Sequence, residues 1–318
     1  MSSGRAFALA WRFAGRVPEP VLRAVTNLGA DVAWLRRGPG SRQLERNLAR
    51  VRPDASPREL RTLCRAGMRS YLRYYREVFA LRAYSPAQVS ARGRMVGADP
   101  IHAEIAAGRT VLMALGHTGN WDLAAAYAAT HLGPVTTVAE RLEPEELFQE
   151  FLAFRQSLGM TIIALDGAGG SVFRTLLGVA RGGPTLLPLL ADRDLTAHGI
   201  EVDLLGERAR VAAGPAALAV ATGAMLVPVT VYYERLRGAR RRAAGSPWGV
   251  VLDFAAPLTV PTDLPRAEQV NAVTQAWVDV VGAGIAAHPQ DWHMLQKVFI
   301  ADLDPNRYAA TIGTAGPA

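Results

Sequence analysis

What most limits how this chain can fold is a change of hydrophobic texture near residue 84. Beyond it come short runs rich in leucine or β-branched residues, VLMALG, TIIAL, TLLPLL, MLVPVTVYY and GVVLDF, separated by stretches of helical spacing. Apolar runs of strand length that alternate with helical segments predict an α/β sheet covered by helices on both faces. With 318 residues, half of them hydrophobic, the chain is long enough to bury a large core as one domain.

Before residue 84 the spacing is helical. SRQLERNLARV runs into a break at Pro53 and Asp54, and SPRELRTLCRAGMRSYLRYYREVFAL follows. Ser56 and Glu59 have capping-box spacing, and Pro57 occupies the favoured first helical position, so a helix is expected to begin there. Further upstream, Trp11, Phe13, Leu22, Val25 and Trp34 are interleaved with Arg5, Arg12, Arg16, Arg23, Arg36 and Arg37. On a helical period this is an amphipathic segment, suited to lying on a bilayer or to packing on the main domain. The expected organisation is N-terminal helices with a membrane-associating segment over 1–83, a catalytic α/β core over 84–305 packed as one domain with them, and a tail over 306–318. Small polar residues in that tail predict disorder.

A net charge of +7 on a chain with only 20% charged residues suits an anionic membrane surface or a polyphosphorylated substrate. No zinc-finger spacing, RNA-recognition signature or alternation of basic and aromatic residues is present, so a nucleic-acid partner is not expected. Lys297 is the only lysine, a bias that a GC-rich genome explains as readily as function does. Cys64, alone, forms no intrachain disulfide and excludes a multi-thiolate metal site, which makes a reducing compartment the default. No apolar run reaches the roughly 18 to 20 residues of a spanning helix. Arg12 interrupts the N-terminal apolar stretch and no small-residue cleavage site follows, so no secretory leader is expected. The arginine cluster from Arg235 to Pro247 reads as an exposed hairpin or loop.

Three apolar runs end in polar or glycine-rich turns: VLMALG in HTGNWD, TIIAL in DGAGG and TLLPLL in ADRD. Ligands of open α/β sheets bind beyond the carboxyl ends of strands. His117 on the first turn can take a proton near neutral pH without prior activation. If the Thr118-Gly119-Asn120 turn folds back, Asp122 meets the imidazole and fixes its tautomer. Otherwise the two residues merely cap the next helix. Backbone amides from Gly119 to Trp121, Asn120 included, are candidate donors to an oxyanion. Trp292 and His293 in DWHML could line such a site, although a structural histidine under the core is the plainer reading of His293.

The string GHTGNWD, with histidine and acid separated by four residues, resembles the signature of the lysophospholipid and lipid A acyltransferase superfamily. Within it the chain most resembles the actinobacterial phosphatidylinositol mannoside acyltransferases. The stretches VAERLEPEELFQEFLAFRQSLGM, LLADRDLTAHGIEVDLLGE, ARVAAGPAALAVATGAMLVPV and HPQDWHML carry the resemblance from about residue 5 to 300. It implies a glycerol-3-phosphate acyltransferase-like fold, a central mixed β-sheet flanked by helices on both faces. It also implies a peripheral enzyme on the cytoplasmic face of the cell membrane, moving an acyl group, palmitoyl by expectation, from acyl-CoA to a mannose hydroxyl of a phosphatidylinositol mannoside. His117 and Asp122 fall on the motif's histidine and acid, Glu140 on a glutamate, Arg155 on an arginine, and Asp192 and Arg193 on an Asp-Arg pair. An aspartate at 122, where the lipid A branch often has glutamate, favours the mannoside branch.

Forked guanidinium donors at Arg155 and Arg193 suit phosphates, and Glu140 and Asp192 can accept hydrogen bonds from sugar hydroxyls or hold their neighbours in place. Acyl-CoA enters as co-substrate, and neither a cofactor nor a metal is expected. The competing readings are an acyltransferase of another glycolipid or lysophospholipid, a metal-dependent hydrolase built on His117, Asp122 and Asp192, and a non-catalytic membrane-binding module.

Overall fold

The computed structural model of the chain describes residues 17–140, 145–165 and 169–313. Three helices come first: α1 (Glu19–Arg36), α2 (Pro39–Val51) and α3 (Pro57–Leu81). Then follow α4 (Pro86–Arg92), β1 (Gly93–Val96), α5 (Asp99–Ala106), β2 (Val111–Leu115), α6 (Trp121–His131), β3 (Val135–Glu140), α7 (Glu145–Ser157), β4 (Met160–Leu165), α8 (Gly169–Arg181) and β5 (Leu186–Leu190). A hairpin of β6 (Ile200–Leu204) and β7 (Glu207–Val211) leads to α9 (Gly214–Thr222), β8 (Met225–Arg235), α10 (Gly238–Ala244), β9 (Trp248–Phe254), α11 (Arg266–Ala287) and α12 (Pro305–Gly313). The capping box at the start of α3 forms as the spacing predicts, with Ser56 and Glu59 satisfying each other's backbone amides.

Seven strands make one mixed sheet in the order β1-β9-β8-β2-β5-β3-β4, parallel except where β8 and β9 run antiparallel. All five residues of β2 are buried. Leu112 and Ala114 join a core that includes Leu44, Leu48, Met68, Trp277 and Val281, whereas Val111, Met113 and Leu115 join one with Val78, Leu123 and Phe151. The two-residue period of a strand thus supplies one layer of helices on each face. Residues from α2 and α3 sit in the same cores as the sheet, so these helices and the sheet pack together.

Two prolines lie in central strands, which ordinarily break a ladder. The Pro188 carbonyl accepts a hydrogen bond from the Thr137 hydroxyl of β3 at 2.7 Å. In a parallel strand a residue's N–H and C=O point to the same neighbour, so the missing N–H falls on the β3 side. There β5 keeps a single paired position, Val135 with Leu186, while its ladder to β2 is complete.

Three expectations change. Residues 306–313, expected to be disordered with the rest of the 306–318 tail, belong to α12 (Pro305–Gly313), because Tyr308 docks its hydroxyl on Glu201. The arginine cluster holds the short helix α10 between β8 and β9 rather than a plain loop, and Arg240 bonds Glu234 at 2.8 Å. The helix α11 is long and apolar enough to cross a membrane by length and composition, yet Val273, Trp277, Val278, Val281 and Ile285 are packed into the core.

Within the described residues the amphipathic segment packs on the main domain along one face and leaves the other open. One face of α1 packs inward through Ala30 and Trp34, and Asp31 is bonded by Arg65 and Arg69, at 2.9 and 2.7 Å from their Nε atoms. The other face leaves Val21, Val25, Leu28, Val32 and Leu35 exposed at heptad-like spacing. Arg5, Trp11, Arg12, Phe13 and Arg16 lie outside the described residues.

Candidate active site

The strands β2 and β5 are parallel neighbours in register, Leu115 opposite Leu190. Two residues beyond each pair member stand His117 and Asp192, so the sheet itself delivers these side chains to one another. Imidazole Nδ1 lies 2.5 Å from Asp192 Oδ1, and the His117 backbone N–H donates to Oδ2 at 2.9 Å. Trp292 adds a third donor, its indole N–H 3.0 Å from Oδ2. Glycine at 116 makes this approach possible, since a Cβ there would stand 3.1 Å from Asp192 Oδ2 and 3.3 Å from Val281.

Asp192 is almost wholly buried and His117 is half-buried. Burial alone would raise the Asp192 pKa, but the His117 charge and the bonds from His117 and Trp292 outweigh it and hold the carboxyl below its ordinary value. For His117 burial works against the charged ring, whereas the Asp192 charge and hydrogen bond win and raise its pKa. An ionised carboxylate only accepts, so Nδ1 carries the proton and Nε2 is left as the basic nitrogen.

The expected meeting of His117 and Asp122 is therefore corrected: the imidazole's carboxylate partner is Asp192. Asp122 is buried one residue inside α6, bonded by Arg155 Nε at 2.7 Å and by the Tyr74 hydroxyl at 2.9 Å. A guanidinium with a phenol is a strong, fully hydrogen-bonded partner set for a buried carboxylate. The same contact occupies one edge of the Arg155 guanidinium, expected to face phosphate, and the Asp122 charge raises its pKa.

Asn120 is likewise structural. Its side chain is fully buried, caps α6 by accepting from Leu123 N–H at 3.0 Å, and donates to Glu77 at 3.0 Å, so burial rather than substrate accounts for its contacts. Of the expected oxyanion donors, the Gly119 amide is already given to the Asp291 carbonyl at 2.8 Å, which leaves those of Asn120 and Trp121. Gly119 itself is required: its φ is +59°, and a Cβ there would lie 2.6 Å from the Val231 carbonyl oxygen. Trp121 stacks on Tyr74 with ring centres 4.1 Å apart and meets the His117 ring edge-on at 5.7 Å. Arg193 stays beside the site, donating to the Lys297 carbonyl at 3.0 Å and close enough for its charge to oppose protonation of His117. Glu140 ends β3, and its side chain lies outside the described residues. Residues 166–168, the first three of the DGAGG stretch expected to form a turn, also lie outside the described residues.

Sequence reasoning named Trp292 and His293 but missed Tyr74 and Asp291 of the same supporting layer. Tyr74 of α3 is one member, with no signal beyond a tyrosine-rich helical stretch. The DWHML segment supplies the others. Trp292 bridges to Thr118, the His293 backbone N–H donates to the His117 carbonyl at 2.8 Å, and Asp291 accepts from the Ser70 hydroxyl at 2.6 Å and from Tyr233 N–H at 2.9 Å. Burial pulls the His293 imidazole down to about 3, so this ring is neutral and fills the structural part expected of it. Among the described residues no group of three or more His, Cys, Asp and Glu side chains could hold a metal ion.

An imidazole oriented by a buried carboxylate beyond the carboxyl end of a central strand can take a proton from a hydroxyl. Residues 5–300 match the bacterial lipid A biosynthesis acyltransferase family, and the chain belongs to that family of acyltransferases. Within it, the chain is 38% identical over 311 residues to the phosphatidylinositol mannoside acyltransferase of Mycolicibacterium smegmatis, covering 97% of this chain and 94% of that one. It is 39% identical over 309 residues to the protein of the same name from Mycobacterium tuberculosis, covering 96% and 90%.

Proposed function

We propose that this acyltransferase moves a palmitoyl group from acyl-CoA to a mannose hydroxyl of a phosphatidylinositol mannoside, with His117 as general base and Asp192 as the group that orients it. The contact between Nδ1 of His117 and Asp192 carries this reading, and the names of relatives alike over nearly their whole length support the acceptor. A mannose hydroxyl is too weak an acid to attack a thioester unaided. His117 Nε2 takes its proton as the new C–O bond forms. The negative charge of the tetrahedral carbon's oxygen falls to the amides of Asn120 and Trp121. When the C–S bond breaks, the departing thiolate receives the proton back from His117, so no acyl-enzyme forms.

Asp122 acts at one remove, holding Arg155 and Tyr74, on which Trp121 is stacked beside the imidazole. The exposed apolar stripe of α1 lays the enzyme on the cytoplasmic face of an anionic membrane, which also presents the acceptor. Incubation of the purified protein with palmitoyl-CoA and a panel of glycolipid acceptors tests the reading through thiol release and product mass. Transfer to the mannoside is expected, and His117→Ala abolishes it. Transfer only to lipid A precursors or lysophospholipids would replace the acceptor, and no transfer at all would end the proposal.

A further inference from the structure

One face of α3 is turned on the site. Residues 70, 73, 74 and 77 stand at i, i+3, i+4 and i+7, which is a single helical stripe. Three of the four have defined hydrogen-bond partners there: Ser70 donates to Asp291, Tyr74 donates to Asp122 and Glu77 accepts from Asn120. Arg73 differs. Its guanidinium carbon lies 3.6 Å from the centre of the Trp248 ring and 4.6 Å from that of Tyr233, and none of its five N–H groups meets an acceptor among the described residues. Half-buried, it is desolvated enough for burial to push its pKa down against the nearby charges of Glu77 and Asp291, neither of which it hydrogen-bonds. Such charges are ordinarily paired.

The surroundings reinforce the lack. Arg235, directly opposite Trp248 in the β8-β9 ladder, places its own guanidinium carbon 3.9 Å from the same ring centre. Two guanidinium carbons that close to one ring centre cannot share a face without clashing, so the indole is sandwiched between two cations. The carboxylates nearby are already engaged: Glu77 accepts from Asn120, Asp291 from Ser70 and Tyr233 N–H, and Glu234, next to Arg235, is bonded to Arg94 at 2.9 Å and Arg240 at 2.8 Å. The Tyr233 hydroxyl is buried without a partner as well. This corner joins the catalytic end of the sheet, since Tyr233 N–H bonds Asp291, and the next residue, Trp292, bonds Asp192.

We infer that Arg73, its plane braced by Trp248 and its charge reinforced by Arg235, is an anion-binding residue that takes a phosphate-ester group of a substrate. This rests on the proposed acyl transfer for the identity of that substrate, but not for the site itself. Arginine held flat on an aromatic ring keeps its edge donors free, the arrangement that suits bidentate phosphate recognition. Arg155, by contrast, has one edge of its guanidinium bonded to Asp122. The acyl donor and the acceptor both carry phosphate esters, and the experiment separates them.

Calorimetric titration of the full chain with coenzyme A in one arm and with a deacylated glycerophosphoinositol mannoside in the other compares wild type, Arg73→Gln and Arg235→Gln. For one of the two probes Arg73→Gln is expected to weaken binding about 10- to 100-fold, the worth of hydrogen bonds to a charged group. Arg235→Gln, at an exposed position, should weaken the same probe severalfold and keep the fold, so it decides the matter if Arg73→Gln fails to fold. Wild-type affinity for both probes in either folded Arg73→Gln or Arg235→Gln, or no binding of either probe to wild type, would overturn the inference. If Arg73-dependent binding occurs but wild type transfers no acyl group, the anion site stands and the acyl-transfer reading falls.

Discussion

Two buried aspartates flank His117 and are used in opposite ways. Asp122, five residues along the chain, is closed into a knot with Arg155 and Tyr74. Asp192, far away in sequence, receives three N–H donors, two of them from His117. Nearness in sequence gave the histidine a helix to lean on, and nearness across the sheet gave it a carboxylate. The difference separates a group that holds the site's walls from one that sets the protonation of the base.

The largest contrast is expected at Asp192. Asp192→Asn should lower kcat/KM by about 10²- to 10⁴-fold, the range for general-base catalysis that has lost its oriented base. Because His117 must be neutral to act and its pKa is raised, wild-type activity should fall as pH drops through a value above that of an ordinary histidine. In Asp192→Asn the same limb moves to lower pH. A pH–rate profile that stays put would mean that the two groups are not coupled.

Asp122→Ala should act on stability instead. Removing one partner leaves the buried end of Arg155 uncompensated, a loss of about 3–5 kcal/mol, read as a fall in denaturation midpoint. The acid limb of the remaining activity should not move. Should Asp122→Ala shift that limb as far as Asp192→Asn does, the division between the two carboxylates would be lost.

Smaller again is Trp292→Phe, which deletes one N–H from Asp192 while keeping an aromatic ring in the core. The freed charge on Asp192 stabilises the imidazolium more, so the acid limb should move to higher pH, with a loss of activity of about tenfold for a hydrogen bond to a charged group. An unchanged limb would show that the indole only fills space.

Much of this was legible in the sequence. The alternation of strand-length runs with helices gave the layered α/β fold, and Ser56, Pro57 and Glu59 marked the start of α3. His117 stood out because it follows an apolar run and opens a turn. Its partner did not, because which strands lie side by side is not written in local spacing. TLLPLL and VLMALG are separated by two other strands in the chain, and only their pairing brings ADRD against the histidine. Arg155 was misread for a similar reason: a guanidinium signals an anion, but not whether that anion is substrate or a buried aspartate of the same chain. Tyr308 shows the converse, a single aromatic residue with enough contact to order a stretch whose composition looks structureless.

Titration of the His117 ring by NMR in wild type, Asp192→Asn and Asp122→Asn tests the dyad most directly. A wild-type pKa above the ordinary histidine value is expected, with a marked drop in Asp192→Asn and little change in Asp122→Asn. A pKa that follows residue 122 and ignores residue 192 would contradict it.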